Sequence, residues 1–145
     1  ADDEICKDSF QNIFSQNWKD ANLIFGNIKY QNNQQFVGSF SNKLFLKNSI
    51  HHQAAVYHKR CFYGRNFNTN YSILADYDLN IQLFLEQKKA LYFNIDFAIC
   101  GNIGISKKKG WIHYKEEFLI KKLGWMKMPR MLCMVKPSGL WRKIR

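Results

Sequence analysis

The run from Leu91 to Ile99 constrains this chain most. Leu91, Phe93, Ile95, Phe97 and Ile99 alternate strictly with Tyr92, Asn94, Asp96 and Ala98. A period of two belongs to a strand with one buried face, and a helix would scatter those side chains around its axis. A strand needs partners, and the chain offers two. Asn22 to Tyr30 is apolar and β-prone, and the polar tract Gln31 to Gln35 follows it as a loop. His51 to His58 reads as a buried or half-buried strand, with Arg60 to Asn70 as an irregular connection, while Ser39 to Ser49 fits neither pattern.

Between and around these strands the period changes to that of helices. Phe10, Ile13 and Phe14, with Asp8 or Ser9 placed to cap, predict a short amphipathic helix. Leu79, Leu83 and Phe84 share a face over Tyr77 to Gln87, with Asp76 or Asp78 as its cap. Trp111, Tyr114 and Phe118 share a face with Trp125 over a helix expected from Trp111 to Leu123, and the pattern weakens from Gly124. The expected class is mixed α/β. At 145 residues there is room for one ordinary domain, and 46% apolar residues with two prolines exclude a disordered chain.

Charge divides the chain. The net charge is +11, yet residues 1–104 carry 10 Lys/Arg and 9 Asp/Glu, whereas residues 105–145 carry 12 and 2. A neutral body followed by a basic extension differs from a domain built throughout for nucleic acid. In the extension, methionines and tryptophans interleave with Lys127, Arg130, Lys136, Arg142 and Lys143, a composition suited to a surface that meets lipid headgroups or packs loosely on a partner. Cys6, Cys61, Cys100 and Cys133 form no C-x-x-C pair, so zinc-ribbon and thioredoxin readings have no support. Neither a spanning apolar run nor a signal peptide is present, and a reducing, cytoplasmic setting is expected, with attachment at the cytoplasmic face of a membrane as its peripheral variant. The first residue is Ala1, which reads as a fragment or a processed chain.

P-loop, nucleophile-elbow and zincin motifs are absent. Two acidic pairs remain, Asp2-Asp3 and Asp76-x-Asp78. Hard divalent cations take carboxylate oxygens and bridge to substrate phosphates, so such pairs suit a metal–diphosphate anchor; helix capping is the competing role for each. His51 and His52, as neighbours on a strand, would point to opposite faces and could not chelate one ion together.

The order of motifs is more specific than any one of them. Ala1-Asp2-Asp3-Glu4-Ile5, Asn22 to Asn27, Ile50-His51-His52-Gln53-Ala54-Ala55-Val56-Tyr57 and Ala75-Asp76-Tyr77-Asp78-Leu79 resemble, in sequence and spacing, the second half of family 2 glycosyltransferases. The similarity covers about residues 1–106 and ends at Gly104-Ile105-Ser106, which looks like the family's G-G-[IV]-S turn with Asn102-Ile103 disturbing its first glycine. The resemblance implies the C-terminal part of a Rossmann-like GT-A domain, with a mixed sheet and flanking helices over residues 1–106, followed by a basic helical extension over residues 107–145.

It also implies an inverting transfer from a nucleotide-sugar to a glycan or lipid-linked acceptor. Asp76 matches the general base that takes the acceptor proton. Asp2 and Asp3 match the end of the D-x-D motif, which holds Mn²⁺ or Mg²⁺ on the diphosphate. His52 and Gln53 line the acceptor side, and Asp78 orients or caps near the substrate. The family's nucleotide-binding half would precede Ala1, so negligible turnover is expected from these residues alone. The alternative is a non-catalytic basic module that grips nucleic acid or an anionic membrane through residues 107–145. That reading explains the charge and leaves the acidic motifs unexplained, and nucleic acid is the less expected partner.

Overall fold

A computed structural model describes residues 3–7, 11, 13, 18, 20–101 and 110–128, and the backbone onward to 134. Its elements are β1 (Glu4–Ile5), β2 (Leu23–Tyr30), β3 (Gln35–Phe36), β4 (Ala55–Tyr57), α1 (Ala75–Leu85), β5 (Ala90–Cys100) and α2 (Trp111–Met134), with 3₁₀ turns at Asn42–Phe45, His52–Ala54 and Lys59–Phe62. The alternating segment is β5, as its period requires. It lies parallel to β2, and α1 lies in the long connection that a parallel pair needs. The sheet order is β1-β5-β2-β3, with β4 also paired to β2, and every pairing other than β2 with β5 is antiparallel. The class is mixed α/β, with a mixed sheet and, among the fully described elements, two helices.

Strand β2 is central, and Leu23 to Ile28 are buried throughout, which is why its sequence runs apolar rather than alternating. One sheet face carries Leu23 and Phe25, packed with Leu44, Phe45, Tyr77, Ile81 and Ile120 from the turns and both helices. The other carries Ile24, Ile28 and Phe97 with Ile13, Ala21 and Ala54. Gly26 lets β2 pass under β5: a Cβ there would stand 2.3 Å from the Phe97 ring and 2.8 Å from the Ile95 carbonyl oxygen.

Several expectations are corrected. The alternation of β5 does not reach Ile99: its register against β2 shifts between Phe25 and Ile28, so Phe97, Ala98 and Cys100 enter one core and Ile99 falls outside it. Helix α1 begins at Ala75, and Leu74 at its N-cap makes no side-chain cap bond, so neither Asp76 nor Asp78 caps it; both sit in the first turn. Helix α2 continues past Gly124, which serves close packing instead of ending the helix, with a built Cβ at 3.2 Å from Phe45 and 3.3 Å from Ile81. Residues 51–54 form a cap and a 3₁₀ turn, so the strand is confined to Ala55–Tyr57. The helix expected near Phe10 lies largely outside the described residues, although Lys7, Gln11 and Ile13 are helical.

Candidate functional site

The turn His52–Ala54, which packs on β2 and β5, and the first turn of α1 carry the two central motifs. Asp76 is half-buried on the side of α1 that faces the turn, where Asn48 Nδ2 donates to its Oδ2 at 3.2 Å. Burial pushes its carboxyl above the ordinary carboxylate value, against the opposing pull of Asn48, of the His52 imidazole and of the helix N-terminal amides. One turn further along the same face, Asn80 is fully buried, and its Oδ1 accepts from Tyr57 Oη at 2.9 Å. Asn80 Nδ2 is buried with no partner among the described residues. The Tyr57 hydroxyl is held above its usual value, mainly by burial and also by the nearby Asp76 charge. Asp76 with Asn48, and Asn80 with Tyr57, are thus two hydrogen-bonded pairs at α1, and the Asp76 charge is felt at the Tyr57 hydroxyl.

Gln53, next along the turn, points to the other acidic motif. Its Nε2 donates to Asp3 Oδ2, while Cys100 Sγ donates to Gln53 Oε1 at 2.9 Å and the Gly101 amide donates to Asp3 Oδ1 at 3.1 Å. Gln53 thus reaches the N-terminal acidic motif at Asp3, while His52 acts on Asp76 only through its charge. The adjacent histidines do not oppose each other as strand neighbours would; their rings stack with centroids 5.0 Å apart and planes at 18°. His51 also meets Phe36 edge-on, and its Nδ1 accepts from the Gln53 amide.

Asp78 is not brought to this group. Two residues beyond Asp76 on a helix, it faces the opposite side, where it is buried and accepts from Gln82 Nε2 at 2.7 Å; burial raises its pKa while Gln82 and Asn68 oppose the shift. Asp2 lies outside the described residues. Among the described residues no cluster of three or more His, Cys, Asp or Glu side chains could hold a metal. Asp3 is exposed, but both its oxygens accept hydrogen bonds, so a Mg²⁺ or Mn²⁺ here would be a hydrated ion shared with a diphosphate and not one caged by the protein.

Beside Asn48 opens a cleft of about 430 Å³, with Val37, Ser39, Lys43, Leu46, Lys47 and Ser49 in its lining. Compared with protein-family models, curated proteins and solved structures, the chain finds no match in any of the three.

Sequence reasoning missed Asn48, Tyr57, Asn80 and, above all, Glu116. This α2 side chain is buried, and it accepts from Ser72 N and Oγ at 2.8 and 2.9 Å and from the Ile73 and Leu74 amides at 3.0 and 2.9 Å. Burial works to raise its pKa, but these donors outweigh it and hold the carboxyl below the ordinary glutamate value. Glu116 thereby supplies from another helix the cap that α1 lacks, immediately ahead of Asp76. The spacing of Asn80 four residues after Asp76 was a readable signal; a capping carboxylate more than forty residues away had none.

Proposed function

We propose that the chain is the acceptor-side half of an inverting glycosyltransferase of the family 2, GT-A type, with Asp76 as general base. The observation that carries this reading is the half-buried Asp76 carboxyl in the first turn of α1, held by Asn48 and with the His52 charge near it, since Asp76 and His52 belong to two separate motifs of the resemblance. A base needs hydrogen-bond reach to the acceptor hydroxyl and a pKa moved toward the working pH, and the burial of Asp76 supplies the second. Asn48 and the first-turn amides of Asp76 and Tyr77 donate to the Asp76 carboxyl and hold it in place. Lys43 and Lys47 beside the cleft favour an acceptor that carries acidic groups.

Asp3, with Asp2, would hold a divalent cation on the donor diphosphate, and that cation would offset charge on the leaving group. The test is nucleotide-sugar turnover by the chain joined to whatever its gene encodes upstream of Ala1, with the product anomer read by NMR. Inverted product is expected from the joined protein and negligible turnover from the 145 residues alone. Retained configuration, or full activity of these residues by themselves, would contradict the assignment.

A further inference from the structure

We propose that the outward face of α2 is a lipid-docking surface that lays this helix on an anionic bilayer. The inward face is spoken for: Glu116, Ile120 and Gly124 are buried against the loop ahead of α1, Phe45 and Ile81. The opposite face carries large apolar side chains and yet is open. Trp111 is 80% exposed, Phe118 and Met126 65%, Trp125 52% and Tyr114 51%. With 3.6 residues per turn, Trp111, Phe118 and Trp125 fall on one stripe, and Lys115 and Lys122 lie within the same stripe.

Charge selects the occupant. Both carboxylates of α2 are turned away from this face, Glu116 into its four donors and Glu117 into a 2.7 Å pair with Lys121. What the face shows is positive and apolar at once, the pairing that anionic headgroups over acyl chains satisfy, with lysine stems lying along the apolar surface and tryptophans at headgroup level. No helix among the described residues is long and apolar enough to cross a membrane, so α2 would lie along the surface. Nucleic acid fits less well: the exposed rings could stack on bases, but Ile112, Leu119, Leu123 and Met126 are exposed beside them, and that aliphatic surface is matched by acyl chains and not by bases. Downstream, Arg130, Lys136, Arg142, Lys143 and Arg145 follow with no acidic residue among them. The inference is independent of the transferase reading, although Glu116 ties the docked helix to the residues just ahead of Asp76.

Co-sedimentation of the 145-residue chain with vesicles tests it. Vesicles of phosphatidylcholine mixed with phosphatidylglycerol should pellet the protein, phosphatidylcholine alone should do so weakly, and added salt should weaken the binding. The double variant Trp111→Ala/Phe118→Ala should lose about tenfold or more in partitioning with an unchanged far-UV CD spectrum. The variant Lys115→Glu/Lys122→Glu should lose the preference for the anionic vesicles. The proposal is overturned by equal pelleting with both vesicle types, or by an aromatic double variant that binds as well as the parent. It is equally overturned if that double variant instead abolishes a dimer or binding to a single-stranded RNA, with no vesicle binding by the parent.

Discussion

Replacing Glu116 isolates the contact that joins α2 to the candidate site. Its carboxylate takes four hydrogen bonds in a buried setting, three of them from backbone amides that have no helical acceptor. Glu116→Gln keeps the shape but turns one oxygen into a donor, so at least one amide is left facing another N–H. Ser72 Oγ can rotate to accept and limit the damage. One unsatisfied buried donor and the loss of charge assistance come to about 2 kcal/mol. Glu116→Ala strands all four donors and should cost about 4 kcal/mol, short of the sum of the separate bonds because such terms are not additive.

For a domain of this size those losses correspond to roughly 6 and 12 °C in Tm. Urea unfolding followed by far-UV CD measures both variants, with Glu117→Gln as a control expected within about 0.5 kcal/mol because its pair with Lys121 is partly exposed. The pH dependence gives a second readout. The folded Glu116 carboxyl lies below the ordinary value of 4.5, so its stabilisation is fully present above that value and is lost as pH falls through the folded one. The gap between parent and Glu116→Gln should therefore narrow in acid. A glutamine variant within about 0.5 kcal/mol of the parent at neutral pH would refute the trans-cap argument.

Gly26→Ala should destabilise by about 3 kcal/mol or more in the same assay, since its Cβ would meet the Phe97 ring and the Ile95 carbonyl at distances that backbone cannot yield cheaply. Gln87 ends α1 in the left-handed region at φ 54°, with the Lys88 amide bonded back to the Leu83 carbonyl, so Gln87→Gly should raise stability by about 0.5 kcal/mol in urea unfolding. In the joined protein, the acid limb of kcat/KM should follow the raised Asp76 pKa. The His52 charge pulls that pKa down, so His52→Ala should move the limb to higher pH, and an unmoved limb would separate the two residues.

Much of the fold was legible because periodicity reports burial directly. Strand β5, strand β2, α1 and α2 were all signalled, and so was the acidic turn that carries Asp76. The failures share a cause, which is that each was decided by a partner distant in sequence. The switch at Phe97 and Ala98 depends on the register with β2, which an alternation count within one strand does not contain. Gly124 resembled a helix stop, but Phe45 and Ile81 make it a close-approach site inside α2. Asp76 and Asp78 resembled caps because local sequence holds no trace of Glu116. The stripe of Trp111, Phe118 and Trp125 was found as a helical face, whereas its outward direction followed only from Glu116 and Ile120 pointing inward.

The central claim rests on one carboxylate. Asp76→Asn nearly preserves volume and the contact to Asn48 while removing the base, so in the joined protein it should lower kcat by roughly 10²–10⁴-fold with nucleotide-sugar affinity nearly unchanged. Turnover within a few-fold of the parent would contradict the assignment of Asp76, and with it the reading of this site.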